Sequence, residues 1–488
     1  MTFFALLTRL LYGGLSNLAA YLAAHVLLCL LPAFFIAGAM TALIPKAAVT
    51  RYLGRSTPRF ISYPAAALAG SLLAVCSCTI VPLFAGIYKK GAGIGPAITF
   101  LFFAPAANIL ALIYTGGVIG LDLAFARLAL SLTFGIGIGL IMALIFHRSD
   151  VEHDQLTDDV FAARARMGRP ALFFLLLLVA MLLIGTLKID LLTDAYATVS
   201  FPILGLDRFQ GFLFNLVPYD AARGEEGVTA QGALLITLLV LLGFASWKGL
   251  NDIHAGFNRW TWAALSLAAF TLLIAALGMS PRSDGLQILI TGRTIGTLLA
   301  LITAGGMLGF TLSRDEVRDF LWESWKFMKQ IFPLLVIGVF AVGVIRVFIQ
   351  PQWIERLAGT NTLLGNLAGV LFGVFMYFPT LVEVPIARMF LDLGMHRGPL
   401  LAYLMADPEL SLQSILIVST IIGRLKSWTY VGWVALFSTL AGLIYGAWVD
   451  GLSVALVSLY LLLFITFLGL VLSWVSRRNL MSVLPQKV

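Results

Sequence analysis

Residues 64–88 and 357–382 run for 25 and 26 positions without one charged side chain. A helix crosses the hydrocarbon core of a bilayer with about 20 mostly apolar residues, so either run is long enough to span. Further apolar runs recur along the chain. Of its 488 residues, 60% are hydrophobic and 11% charged, against about 25% charged in soluble domains. No strand-like alternation accompanies the runs, and a backbone in lipid must close its own hydrogen bonds, so helices rather than a β-barrel are expected. The expected fold is an all-α polytopic integral membrane protein with roughly ten to thirteen transmembrane helices.

The runs are punctuated in the same way. Residues 70–108 read GSLLAVCSCTIVPLFAGIYKKGAGIGPAITFLFFAPAAN, and residues 373–411 read GVFMYFPTLVEVPIARMFLDLGMHRGPLLAYLMADPELS. Gly70 matches Gly373, Pro82 matches Pro385, Gly91 matches Gly394, Pro96 matches Pro399 and Pro105 matches Pro408, each at a spacing of 303 (385 less 82). Pro82 removes a helix hydrogen bond and crowds the preceding turn, which predicts a break near residues 78–81. Pro96 suits a first helical turn, and Pro105 interrupts the helix that follows. Paired helices interrupted by Gly and Pro are the best sequence-level pointer to a transporter's central site. Two internal repeats with Pro/Gly-broken helices meeting at mid-membrane are therefore expected, with the choice between parallel and inverted repeats left open.

The division that follows is a first repeat at 1–147, a polar linker at 148–169, inserted transmembrane segments at 170–312 with a polar loop at 188–229, and a second repeat at 313–488. A first span is expected at 18–44 and another at 286–311. Residues 314–329 read equally as an interfacial lead-in helix or as the wet end of the next span. Lys46, Arg51, Arg55 and Arg59 have no acidic residue among them, which predicts a cytoplasmic connection, whereas the more acidic 188–229 loop is expected outside. The net charge of +8 sits mostly in such short connections, where it sets orientation rather than binding nucleic acid. The bilayer itself is the expected partner, and the expected location is a bacterial inner (plasma) membrane; oligomeric state is not legible.

Cys76 and Cys78 are the sharpest chemical feature. Beside a break, both thiols can face one cavity and take soft, thiophilic species. Cys29, with His25 one turn before it, is a weaker candidate and reads better as packing. Glu383, Asp407 and Glu409 stand in the second broken stretch, where the first has Ile80, Ala104 and Ala106. Carboxyl groups at membrane depth mark ion pathways by default, so these three are candidates for proton coupling, with an ion pair to Arg388 or Arg397 as the alternative. Pro82, Asn108, Tyr377, Thr380 and Ser411 complete the candidate substrate site. Arg127 and Arg293 are expected to snorkel, or to pair with Asp122 and Asp284. No nucleotide-binding loop, H-E-x-x-H or G-x-S-x-G is present, so neither ATP-driven transport by this chain alone nor hydrolytic catalysis is expected. No metal site or cofactor is expected.

The stretch VCSCTIVPLFAGIYKKGAGIGPAITFLFFAPAAN, with its P-x8-G-x4-P-x8-P echo, resembles the predicted permeases related to ArsP-type organoarsenical exporters. The resemblance covers mainly residues 20–146 and 320–475, and 170–312 departs from the compact pattern. It implies secondary active efflux, with Cys76 and Cys78 at the motif's positions. A trivalent organoarsenical has open positions for two thiolates, so chemistry and resemblance point to the same class of substrate, with proton exchange as the coupling. The alternatives are a permease of the same architecture for a metal ion or sulfur compound, or a membrane dithiol protein in redox or assembly chemistry.

Overall fold

The computed structural model describes residues 3–24, 28, 30–72, 77–152, 168–187, 189–203, 205–220, 225–282, 285–348, 351–375 and 380–481. The first part of the chain forms α1 (Phe3–Ala24), α2 (Leu31–Leu43), α3 (Lys46–Leu53), α4 (Arg59–Leu72), α5 (Ser77–Lys89), α6 (Ile94–Ala106), α7 (Ile109–Val118) and α8 (Leu121–Ile145). The middle forms α9 (Arg169–Thr186), α10 (Asp190–Thr193), β1 (Ala195–Phe201), α11 (Leu206–Leu216), β2 (Tyr219–Asp220), β3 (Glu225–Glu226), α12 (Ala230–Leu250), α13 (Arg259–Ala276), β4 (Gly278–Arg282), β5 (Gly285–Thr291) and α14 (Gly292–Gly306). The last part forms α15 (Arg314–Arg346), α16 (Pro351–Ala358), α17 (Leu363–Phe375), α18 (Thr380–Asp392), α19 (Arg397–Leu410), α20 (Leu412–Ile422), α21 (Arg424–Val449) and α22 (Val454–Met481).

Among the described residues, eight helices are long and apolar enough to cross a membrane, or nine if the bent pair α19 and α20, 47° apart, counts as one span. Four shorter apolar helices remain, and they include parts of the broken stretches, whose crossing or re-entry decides the final total. The all-α polytopic membrane fold is as expected.

The helix boundaries keep the spacing of the glycines and prolines. Starts at Ser77, Ile94, Ile109 and Leu121 recur at Thr380, Arg397, Leu412 and Arg424, each later by the same 303 (380 less 77). Positive φ angles recur likewise, at Gly91 (86°) and Gly394 (91°), in tight turns that L side chains rarely enter. In both turns a backbone N–H returns to the short helix before the break: Gly93 donates to the Leu53 carbonyl at 2.8 Å and His396 to that of Ala358 at 2.9 Å. The prolines act differently from one another. Pro105 and Pro408 fall one and two residues before their helices end, at Ala106 and Leu410. Pro82 and Pro385 instead lie inside α5 and α18, so residues 78–81 are helical and the expected break there is not found. Each of these prolines stands five residues into its helix, where the carbonyl it orphans belongs to the first turn and the rest of the ladder is untouched.

The matching helices α8 and α21 run in opposite directions. Asp122 at the start of α8 accepts a hydrogen bond from Tyr445 near the end of α21 at 2.8 Å. At their other ends, Lys426 of α21 lies 6.0 Å from the Phe146 ring that closes α8. Midway, Phe134 meets Phe437 with ring centroids 4.9 Å apart, and these two positions keep the same spacing as the prolines. Cross-packing is reciprocal as well: α5 lies against α20 and α7 against α18.

The N-terminal helix begins at Phe3, well before the expected span at 18–44, which instead divides between α1 and α2. Asn17, which interrupts the apolar pattern, is satisfied by α15: it donates to the Val339 carbonyl at 2.8 Å and accepts from Arg346 at 3.1 Å. Residues 314–346 form one unbroken helix, so 314–329 is the polar end of a span rather than a separate lead-in. A small antiparallel sheet, β1-β5-β4, departs from the all-helical reading of the middle segment. Its strand β5 takes residues 285–291, so the expected span at 286–311 starts only at Gly292, where Thr291 and Thr294 form a capping box. Lys89 lies 3.9 Å over the Phe327 ring, and Lys329 donates to Asn251 at 2.8 Å, which puts the end of α12 on the Lys89 side. The sheet and α11 lie at the start of α12, where Gln210 accepts from the Ala230 N–H at 2.8 Å. The basic loop and the sheet with α11 thus occupy opposite ends of the bundle.

Candidate functional site

Of the two interruptions, Ala106–Asn108 and Leu410–Leu412, the first is closed by a side-chain cap and the second by a contact between two side chains. The Asn108 side chain accepts from the Ala111 N–H at 2.8 Å and donates to the Pro105 carbonyl at 3.4 Å. Ser411 donates to Ser414 at 2.7 Å, and position 414 matches 111 at the same spacing. Asn108 and Ser411 are buried, and both are engaged by the helix that follows them.

Arg127 connects the first interruption to the second half of the chain. Its Nε donates to the Ala106 carbonyl at 2.7 Å, left without a helical partner by the break, and its Nη1 donates to Thr115 at 3.2 Å. Its Nη2 lies 2.5 Å from Oε1 of Glu383, and both side chains are fully buried. The second half wires the matching positions with different chemistry. Tyr430, which matches Arg127, donates through its hydroxyl to Oε2 of Glu409 at 2.6 Å, and Glu409 matches Ala106. One half therefore places a cation on a carbonyl where the other places a phenol on a carboxylate.

This arrangement corrects two expectations. Arg127 neither snorkels nor pairs with Asp122, because five residues along a helix turn a side chain by about 140°. Asp122 instead takes Arg397, at 2.8 Å and 3.0 Å, together with Tyr445. Arg388 pairs with Asp392 at 3.3 Å, so neither Arg388 nor Arg397 serves Glu383. Arg293 donates to the Leu187 carbonyl at 2.7 Å, and Asp284 lies outside the described residues. The partnership of Arg127 with Glu383 was missed by sequence reasoning, although a lone arginine inside an apolar run is itself a signal of function.

Asp407 is fully buried, and Glu409 is 5% exposed. Pro82 is buried within α5. Cys76 and Tyr377 lie outside the described residues, as do Cys29 and His25. Cys78 and Thr380 fall in the first turns of α5 and α18, with their side chains outside the description. Among the described residues, no three His, Cys, Asp or Glu side chains are grouped as a metal ion would need.

The family model described as Predicted permease (ArsP_1) matches residues 12–447 of the chain. The chain belongs to this predicted permease family. The UPF0718 protein MJ0584 of Methanocaldococcus jannaschii is 33% identical over 432 residues, covering 88% of this chain and 94% of that protein. The UPF0718 protein YraQ of Escherichia coli K12 is 27% identical over 118 residues, covering 24% of this chain and 34% of that protein. No solved structure matches. The 88% of this chain matched to MJ0584 is too large a share for all of 170–312 to lie outside it. The middle segment is therefore shared with that relative at least in part, and the resemblance extends beyond the two broken stretches. Family and fold together make this permease an integral membrane transporter of a small molecule.

Proposed function

We propose that this permease is a secondary active exporter of a thiophilic small molecule, such as a trivalent organoarsenical, held where two broken-helix repeats meet. The observation that carries the reading is the buried Arg127–Glu383 pair, which ties the interruption between α6 and α7 to α18 of the second broken stretch. Charges and interrupted backbone at membrane depth are tolerated where they serve a pathway. The constant spacing of 303 and the opposed directions of α8 and α21 support inverted repeats, residues 1–147 and 313–488. That arrangement suits rocking of one bundle against the other about a central site. The segment 170–312 flanks them, carrying its sheet and α11 on the external face of a plasma membrane opposite the cytoplasmic 46–59 loop.

In this reading Cys76 and Cys78 capture the soft centre of the substrate. Pro82, Asn108, Tyr377, Thr380 and Ser411 shape the site, and the carboxyl groups of Glu383, Asp407 and Glu409 offer proton exchange. Everted membrane vesicles supplied with phenylarsine oxide test it. Vesicles with the native protein should accumulate the arsenical under a proton gradient, and those with Cys76→Ser and Cys78→Ser should fall to the level of empty vesicles at equal membrane content. Unchanged accumulation by the double variant overturns the thiol mechanism.

A further inference from the structure

Resting on the exporter reading, we propose that Glu409 alone among the three carboxyl groups carries the exchanged proton, and that Glu383 is a fixed charge partner of Arg127. The two glutamates share a region but not an environment. Glu383 has a guanidinium within 2.5 Å, so its negative charge is compensated where it stands. Glu409 receives one hydrogen bond, from the neutral hydroxyl of Tyr430 at 2.6 Å. Its other oxygen, Oε1, has no hydrogen-bond partner among the described residues.

Among the described residues, no cation pairs with Glu409 from the elements packed against α19. Helices α6, α17 and α20 carry no titratable side chain. Helix α18 brings Glu383, a like charge, while its Arg388 is paired with Asp392. From α8, Arg127 is held by Ala106, Thr115 and Glu383, and Asp122 is held by Arg397 at the far end. Helix α21 brings Tyr430, with Lys426 one turn earlier and directed to Tyr88 at 3.4 Å, and with Arg424 exposed at its first position. A lone buried carboxylate costs several kcal/mol, and the neutral acid avoids that cost. Asp407, two residues earlier on the same helix, faces about 200° away.

Burial alone does not separate the groups: Glu383 and Asp407 are fully shielded, and Oε1 of Glu409 is buried as well. In the exchange step the carboxyl O–H bond breaks, the proton leaves to water on the side of lower proton concentration, and the Tyr430 hydroxyl continues to donate to the carboxylate formed. The return of a proton from the other side restores the acid, so one proton crosses in exchange for substrate.

Infrared spectroscopy of the purified full-length protein at neutral pH tests the resting state without any substrate. A protonated-carboxyl C=O band should be present, lost in Glu409→Gln, retained in Glu383→Gln, and shifted but not lost in Tyr430→Phe. Absence of the band in the native protein, or its persistence in Glu409→Gln, overturns the assignment. Everted vesicles with phenylarsine oxide test the coupling. Glu409→Gln should lose accumulation driven by a proton gradient while keeping exchange of internal for external arsenical, with gel filtration checking that it folds. Gradient-driven accumulation by Glu409→Gln overturns the proposal. If the native protein moves no arsenical, the substrate reading fails, and the infrared result still decides the protonation of Glu409.

Discussion

Replacing Arg127 with Ala should destabilise the folded protein by about 3–5 kcal/mol, the usual effect of stranding one member of a buried ion pair. The loss has three parts in this fold. Glu383 keeps a fully buried charge with no counter-ion, the Ala106 carbonyl at the helix break loses its donor, and Thr115 loses its guanidinium contact. Arg127→Lys should recover only part of the loss, because an ammonium is a compact point charge and lacks the planar fork that reaches three acceptors at once. The double variant Arg127→Ala with Glu383→Ala should be more stable than Arg127→Ala alone, since removing both charges relieves the desolvation that one leaves behind. Thermal unfolding in detergent, followed by gel filtration, measures all three. A native melting profile for Arg127→Ala would show that the pair does not hold the two halves together.

The second large effect is expected at two helix crossings built on glycine. A Cβ on Gly139 would stand 2.7 Å from the Gly95 carbonyl, and one on Gly442 would stand 2.6 Å from the Gly398 carbonyl. The four positions are related by the same spacing of 303, so α6 crosses α8 as α19 crosses α21. Small residues let membrane helices approach this closely, and close packing replaces the hydrophobic drive that lipid does not supply. The Thr99 and Asn366 side chains lie nearer still, but the carbonyls behind them are backbone, which cannot rotate away. Gly139→Leu and Gly442→Leu should each force the helices apart, with a cost above the roughly 1–3 kcal/mol typical of overpacking. Folded yield after detergent extraction should collapse for both. Gly432→Leu is the control on α21, because nothing lies within 4 Å of its added Cβ, and it should extract normally. Normal extraction of Gly442→Leu would mean that the crossing is looser than described.

Much of the fold was legible because a membrane imposes local rules. The charge-free runs at 64–88 and 357–382 required helices, since no other element closes its hydrogen bonds within one segment. The interruptions after Pro105 and Pro408 were equally readable, as a proline near a helix end removes one of the last ladder bonds. Pro82 was misread because the same chemistry five residues into a helix disturbs only the first turn. The sheet was missed because β5, GLQILIT, is as apolar as a span, and so short a stretch of hydropathy does not distinguish strand from helix.

The candidate site was legible in its residue types and not in its pairings. Glu383, Asp407 and Glu409 stood out as carboxyl groups in an apolar setting, which local composition reveals. Their different environments did not, because the groups that distinguish them, Arg127 and Tyr430, lie on other helices. Arg127 and Glu383 stand in opposite halves of the chain, and no periodic pattern connects positions so far apart.

By itself, then, the sequence determined that this permease is a helical membrane protein with two similarly punctuated stretches, 70–108 and 373–411, because span length, proline chemistry and glycine turns act within a few residues. Only the tertiary structure decided that the matching helices α8 and α21 run in opposite directions, and that Arg127 answers Glu383 and Tyr430 answers Glu409. Direction and partnership depend on how distant helices dock, and docking is set by contacts among side chains that the chain order keeps apart.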